Sequence, residues 1–208
     1  MIRSIPKLLV PFAFLFLLGC NSSERSESLY SENYGSKLES MAAKAKAFVG
    51  SKNMNPDFCI LVDMGIHSGL KRFFVWDFNQ NKVKHSFLVS HGCGESPWGS
   101  DKSKSEPKFS NTDGSHLSSL GKYQIGERGY SSWGVHKKYL LHGLESTNSN
   151  ALKRVIVLHS WDSVTDNEIY PSGTVEGWGC PAISNNSFLT LDPMLKSARK
   201  PTLLWIYN

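Results

Sequence analysis

Seven short runs of apolar, β-branched and aromatic residues recur along this chain, and each is strand-sized rather than helix-sized. They are Cys59–Met64, Arg72–Phe78, Lys82–Val89, Gly121–Ile125, Tyr139–His142, Arg154–His159 and Thr202–Tyr207. Such residues fit a pleated, half-buried surface. His67-Ser68-Gly69 and Asn79-Gln80-Asn81 are turn-forming clusters that predict hairpins between the first three runs. One helical period precedes them, Leu38 to Phe48, with Met41, Ala42, Ala45 and Phe48 recurring on one face. Short helices are expected near Asn148 to Lys153 and from Ser187 to Lys196, where Asn185, Asn186 and Ser187 offer caps. The reading is a mainly β protein with one N-terminal helix and short peripheral helices. At 208 residues and 40% hydrophobic content, the chain can bury one good core, and neither an internal repeat nor a second domain is evident.

The start of the chain has a different character. MIRSIPKLLVPFAFLFLLGC combines a basic beginning, an apolar run from Leu8 to Leu18, and Gly19 directly before Cys20. This is the pattern of a lipoprotein signal, and the run is short of the roughly 20 residues a membrane-spanning helix needs. The expected division is residues 1–19 as signal peptide, 20–36 as a flexible tether lipidated on Cys20, and 37–208 as the folded domain. The protein is then expected on the periplasmic face of the envelope, anchored through that lipid. Asn21 stands where retention in the inner membrane would call for Asp, so the outer membrane is favoured. The net charge of +5 falls to +3 without Arg3 and Lys7, and no basic stripe with interleaved aromatics occurs, so nucleic acid is not an expected partner. The sequence does not reveal the oligomeric state.

The chemistry concentrates in VIVLHSWDSVTDNEIYPSGTVEGWGCPAIS, Val155 to Ser184. The run Val155 to Leu158 suits a buried strand, which sets His159 and Ser160 at its end. Gly177, Gly179 and Pro181 surround Cys180 with residues that permit a tight turn, leaving the sulfur accessible and aiming backbone N–H groups at what it attacks. A free thiol ionises near ~8.5, so a nearby imidazole is the natural activator. With Cys20 committed to lipid, Cys59, Cys93 and Cys180 remain, an odd number in an oxidising compartment. A Cys59 to Cys93 disulfide and a buried free thiol at Cys59 are both compatible with this count. No metal is expected, since His91, Cys93, His159 and Cys180 lack zinc-ligand spacing, and no cofactor is called for.

Here the chain resembles the L,D-transpeptidase catalytic domain family (YkuD-type), in its divergent murein branch, whose histidine is followed some way on by a small residue, any residue, then Gly-Cys-Pro-Ala. Val89-Ser90-His91-Gly92, Phe109-Ser110-Asn111, Ser118-Ser119-Leu120-Gly121-Lys122-Tyr123, Leu141-His142-Gly143-Leu144-Glu145 and Asn150-Ala151-Leu152-Lys153-Arg154 are similar to that branch and in its order. The similarity runs from about Asp57 to Asn208. Gly177 replaces the usual Ser or Thr, Glu176 a basic residue, and Trp178 the second histidine of the better-known branch. Ser90-His91-Gly92-Cys93 also matches a string of that branch, but Gly94 and Glu95 follow it and the Gly-Lys-Tyr block lies on the wrong side, which favours Cys180 as nucleophile.

The resemblance implies a curled β-sandwich with the cysteine loop at its mouth and a thioester mechanism on a peptidoglycan stem peptide. Cys180 would be nucleophile and His159 base, with Ser160 orienting the imidazole through its carbonyl and Gly179 and Cys180 supplying oxyanion donors. Tyr123, His91, Trp178, Gly121 and Ser119 would bind substrate, the alternatives being an ordinary half-buried strand aromatic for Tyr123 and, favoured over substrate contact, a structural hydrogen bond for His91; Trp161, Trp178 and Trp133 would be groove or core residues. An amine acceptor makes the enzyme a transpeptidase, water an L,D-carboxypeptidase, and a decayed site a wall-binding protein.

Overall fold

In the computed structural model the described residues are 22–208, with side chains from residue 35. The signal segment 1–19 and Cys20 lie outside them. The chain divides into two compact units, one ending at Ser36 and the other Lys37–Asn208, and the candidate site lies wholly in the second. Helix α1 spans Ser22–Ser51, longer than the apolar period over Leu38 to Phe48, and includes the described part, 22–36, of the stretch read as a flexible tether. Helical hydrogen bonds are local and need no buried face.

The remaining elements are β1 (Phe58–Asp63), β2 (Phe73–Asp77), β3 (Lys82–Phe87), β4 (Gly121–Tyr130), β5 (Lys137–Gly143), β6 (Val157–Ser160), β7 (Ala182–Ile183), α2 (Asn185–Ser197) and β8 (Leu203–Tyr207). Each of the seven expected runs overlaps a strand, with β1, β4, β5 and β6 extending beyond theirs. Near Asn148 only a single 3₁₀ turn forms, Ser146–Asn148, followed by further turns. The cap of α2 is Ser184, one residue before the expected candidates, and its hydroxyl accepts from the Ser187 N–H at 3.1 Å. β7 is the strand the sequence hid, because two residues carry no periodicity.

One continuous sheet in the order β3-β2-β1-β8-β4-β5-β6-β7 forms the body, with parallel pairs only at β1/β8 and β6/β7. Phe73 and Val75 near one end of the sheet share a core with Tyr139, Leu141 and Leu158 near the other, so the sheet curls around it. Phe188, Leu191 and Leu195 of α2 pack into that same core. The opposite face of β1, β2 and β8 presents Cys59, Leu61, Trp76 and Leu203 to Leu38, Ala42, Ala45 and Val49 of α1. This explains why β1 is buried at every position: alternate side chains enter two different cores. The mainly β, curled architecture is as expected, although hydrogen bonding makes it a single sheet.

Candidate active site

The short parallel pairing of β6 and β7 brings the distant ends of the Gly-rich segment together, with His159 opposite Ala182. Cys180 enters this register just before β7, and its turn is held from both sides. The Ser90 hydroxyl donates to the Cys180 carbonyl at 3.1 Å and accepts from the Ala182 N–H at 3.0 Å. The Ser118 hydroxyl donates to the Gly179 carbonyl at 3.3 Å and accepts from the Gly92 N–H at 3.2 Å. Gly92 bridges Gly177, while the Gly177 N–H donates to His91 O and the Cys93 N–H to Gly177 O. At Gly179 φ is +96°, a conformation that an L side chain rarely adopts. Among the described residues, the N–H groups of Gly179 and Cys180 are hydrogen-bonded to no backbone carbonyl.

Glu176, read as a departure from a basic position, has a structural task here. Its buried carboxylate accepts from the Ser103 N–H and from the Ser100 and Ser103 hydroxyls. It also faces the buried charge of Arg72, whose guanidinium donates to Ile66 O and Val89 O. The long loop between β3 and β4 is thereby tied to the cysteine segment.

Cys180 and His159 line one cavity of about 460 Å³ together with Ser90, Ala182 and the indoles of Trp98, Trp133, Trp161 and Trp178. His159 Nδ1 stands 2.9 Å from the Ser160 carbonyl. A carbonyl only accepts, so Nδ1 carries the proton and neutral imidazole keeps its lone pair on Nε2. Burial lowers the His159 pKa, opposed by that hydrogen bond, while the Lys138 charge lowers it further. The Cys180 sulfur accepts from the Val157 N–H at 3.4 Å and approaches the Val155 carbonyl at 3.6 Å. Burial raises its pKa, and the Val157 N–H, Arg154 and Lys138 oppose the rise. Both shifts favour the uncharged forms, thiol and imidazole.

The sequence-based list of substrate contacts divides in two. Trp178, exposed and stacked on His116 at 5.0 Å, lines the cavity, as do Trp133 and Trp161. Tyr123, Ser119, Gly121 and His91 do not line it: each is buried beneath the loops. The Tyr123 hydroxyl donates to the Ser119 carbonyl at 2.7 Å, the Ser119 hydroxyl donates to Ser110 O, and a Cβ on Gly121 would strike Asn148. His91 has both ring nitrogens buried without a hydrogen-bond partner. Burial, then the Arg72 charge, lowers its pKa to about 3, and the Lys108 backbone, outside full hydrogen-bond geometry, offsets this only in part.

Cys93 is nearly buried at the edge of a separate polar cavity, away from His159, and burial raises its pKa. Cys59, Cys93 and Cys180 are all free thiols. Among the described residues no three His, Cys, Asp or Glu side chains converge as metal ligands. Sequence reasoning missed Ser90, Ser118 and Trp98. The first two stood inside quoted motifs, whereas Trp98 carried no signal beyond lying in the long loop.

The profile of the L,D-transpeptidase catalytic domain matches residues 25–207. No curated protein matches the chain. Among solved structures, it is similar to an L,D-transpeptidase from Xylanimonas cellulosilytica at 11% identity and TM-score 0.41, covering 72% of this chain and 60% of that one. It is also similar to Bd1075 of Bdellovibrio bacteriovorus, at 17% identity and TM-score 0.44, covering 75% of this chain and 49% of that one. A third likeness is to the helical cell shape determining protein Pgp2 from Campylobacter jejuni, at 14% identity and TM-score 0.41, covering 80% of this chain and 55% of that one. The chain thus spans about half to six-tenths of the length of these structures.

Proposed function

We propose, from the premise that this chain belongs to the L,D-transpeptidase catalytic domain family, that it joins peptidoglycan stem peptides through a thioester on Cys180. The observation that carries this reading is the shared cavity of Cys180 and His159, with His159 Nδ1 held on the Ser160 carbonyl. In the first step the Cys180 sulfur attacks the carbonyl carbon of an L,D peptide bond while His159 Nε2 takes the thiol proton. Negative charge on the carbonyl oxygen is met by the N–H groups of Gly179 and Cys180, each such donor being worth about 2.7–4 kcal/mol in the transition state. Collapse expels the amine, which receives the proton from His159, and leaves the thioester. In the second step an acceptor amine attacks the thioester, gives its proton to His159, and the sulfur departs and is reprotonated.

The indole-lined wall beside the thiol offers an apolar face against which a stem peptide would pack. We further propose that residues 1–19 are removed on export and that lipid on Cys20 holds the enzyme at the periplasmic face of the envelope, in the outer membrane. The helical stretch ahead of Lys37 would then act as spacer. Incubation with purified muropeptides and mass spectrometry tests the activity. Cross-linked dimers are expected; trimmed monomers alone would establish a carboxypeptidase, and unchanged muropeptides would overturn the enzymatic reading. Metabolic labelling with a fatty acid, lost in Cys20→Ala, tests the anchor.

A further inference from the structure

We propose that Arg154 is a positioning residue of the Cys180 site: it clamps the segment on which Gly179 rests and holds an uncompensated positive charge behind the thiol. What the thiol does rests on the acyl-transfer reading; where the guanidinium sits does not. Nη1 donates to the Ser110 carbonyl at 2.9 Å and the Ser119 hydroxyl at 2.5 Å. Nη2 donates to the Leu117 carbonyl at 2.5 Å and the Ser115 hydroxyl at 3.3 Å. All four acceptors belong to Ser110–Ser119, and all are neutral. Among the described residues no carboxylate is ion-paired with Arg154, so its charge is available to its surroundings.

Those surroundings are the cysteine loop. A Cβ built on Gly179 would lie 2.4 Å from the Leu117 carbonyl oxygen and 3.3 Å from Arg154 Nη2, so the clamp and the loop are in direct contact. Ser118, inside the clamped segment, donates to the Gly179 carbonyl. The backbone leaving Arg154 is itself strained, since Val155 is β-branched yet has φ +54°. Such conformations cost about 1–3 kcal/mol and persist where their surroundings over-determine them. Here the strain turns the Val155 carbonyl to within 3.6 Å of the Cys180 sulfur while the Val155 side chain stays exposed. The titratable groups acting around that sulfur are Arg154, Lys138 of β5, His159 of β6 and Tyr123 of β4. Arg154 is the larger of the two cationic influences that favour the thiolate against burial.

The test is alkylation of Cys180 by iodoacetamide against pH, read by intact mass in a Cys93→Ala background, Cys59 being fully buried. Arg154→Met is expected to move the alkylation midpoint up by about one pH unit, the effect of losing one nearby opposite charge. Arg154→Lys keeps the charge but cannot reproduce the four-bond fork. Its midpoint should move less than half as far, while acylation by a carbapenem slows about tenfold or more. A purely structural arginine would leave the midpoint alone. Superimposable midpoints in the wild type and the Met variant, or wild-type acylation by the Lys variant, overturn the proposal; if the Met variant does not unfold cooperatively, the Lys variant decides it. A wild-type Cys180 that alkylates normally but never forms a thioester would instead refute the acyl-transfer reading.

Discussion

Gly179→Ala is the sharpest perturbation of this site, because one methyl group has nowhere to go. The added carbon would meet the Leu117 carbonyl oxygen at 2.4 Å and its carbon at 2.9 Å, both backbone atoms, with φ held at +96°. Backbone strain of this kind costs about 1–3 kcal/mol, so the loop must either bear it or move. Moving displaces the N–H groups of Gly179 and Cys180 from the nascent oxyanion. Loss of one such donor costs about 2.7–4 kcal/mol, or roughly 10²–10³ in rate. Urea unfolding should therefore show a stability loss of about 1–3 kcal/mol, and thioester formation, followed by intact mass, should slow by roughly 10²–10³. A variant as stable as wild type that acylates at the wild-type rate would refute the role given to this turn.

Cys180→Ala is expected to abolish thioester formation with muropeptides and carbapenems, whereas Cys93→Ala retains most of it; mass spectrometry of the two variants checks the nucleophile. His159→Gln should leave a folded protein acylated about 10²–10⁴ more slowly. Because burial raises the Cys180 pKa, its residual activity should climb above the ordinary thiol value of ~8.5, measurable as a pH–rate profile. His91 makes an acid prediction about stability. Its folded pKa of about 3 lies below an unfolded value near ~6.5, so the unfolded state binds the proton first. Its contribution is complete above about pH 6.5 and declines as pH falls toward 3, by up to about 1.4 kcal/mol per pH unit. His91→Leu removes this titration, and urea unfolding at pH 7, 5 and 4 should show a flatter pH dependence; an unchanged slope would disprove it.

The sequence by itself determined the mainly β class and seven of the eight strands of the described residues, and it singled out Cys180, His159 and the glycine-rich turn around the thiol. Those features are written locally: apolar β-branched runs, glycine spacing, and a thiol and an imidazole at the two ends of one segment. Which quoted residues line the cavity was decided by burial, which places Tyr123, Ser119, Gly121 and His91 under the loops and Trp178 on the cavity wall. The sequence could not find Ser90 and Arg154, whose partners lie on other segments: Cys180 for Ser90, and Ser110, Ser115, Leu117 and Ser119 for Arg154. Trp98 joins Trp161, at a ring separation of 4.8 Å, only because Glu176 ties the long loop down, and β7 exists only because β6 lies beside it. Propensity and pattern act over a few residues, whereas hydrogen bonds, burial and cavity walls depend on which distant segments the folded sheet brings into contact.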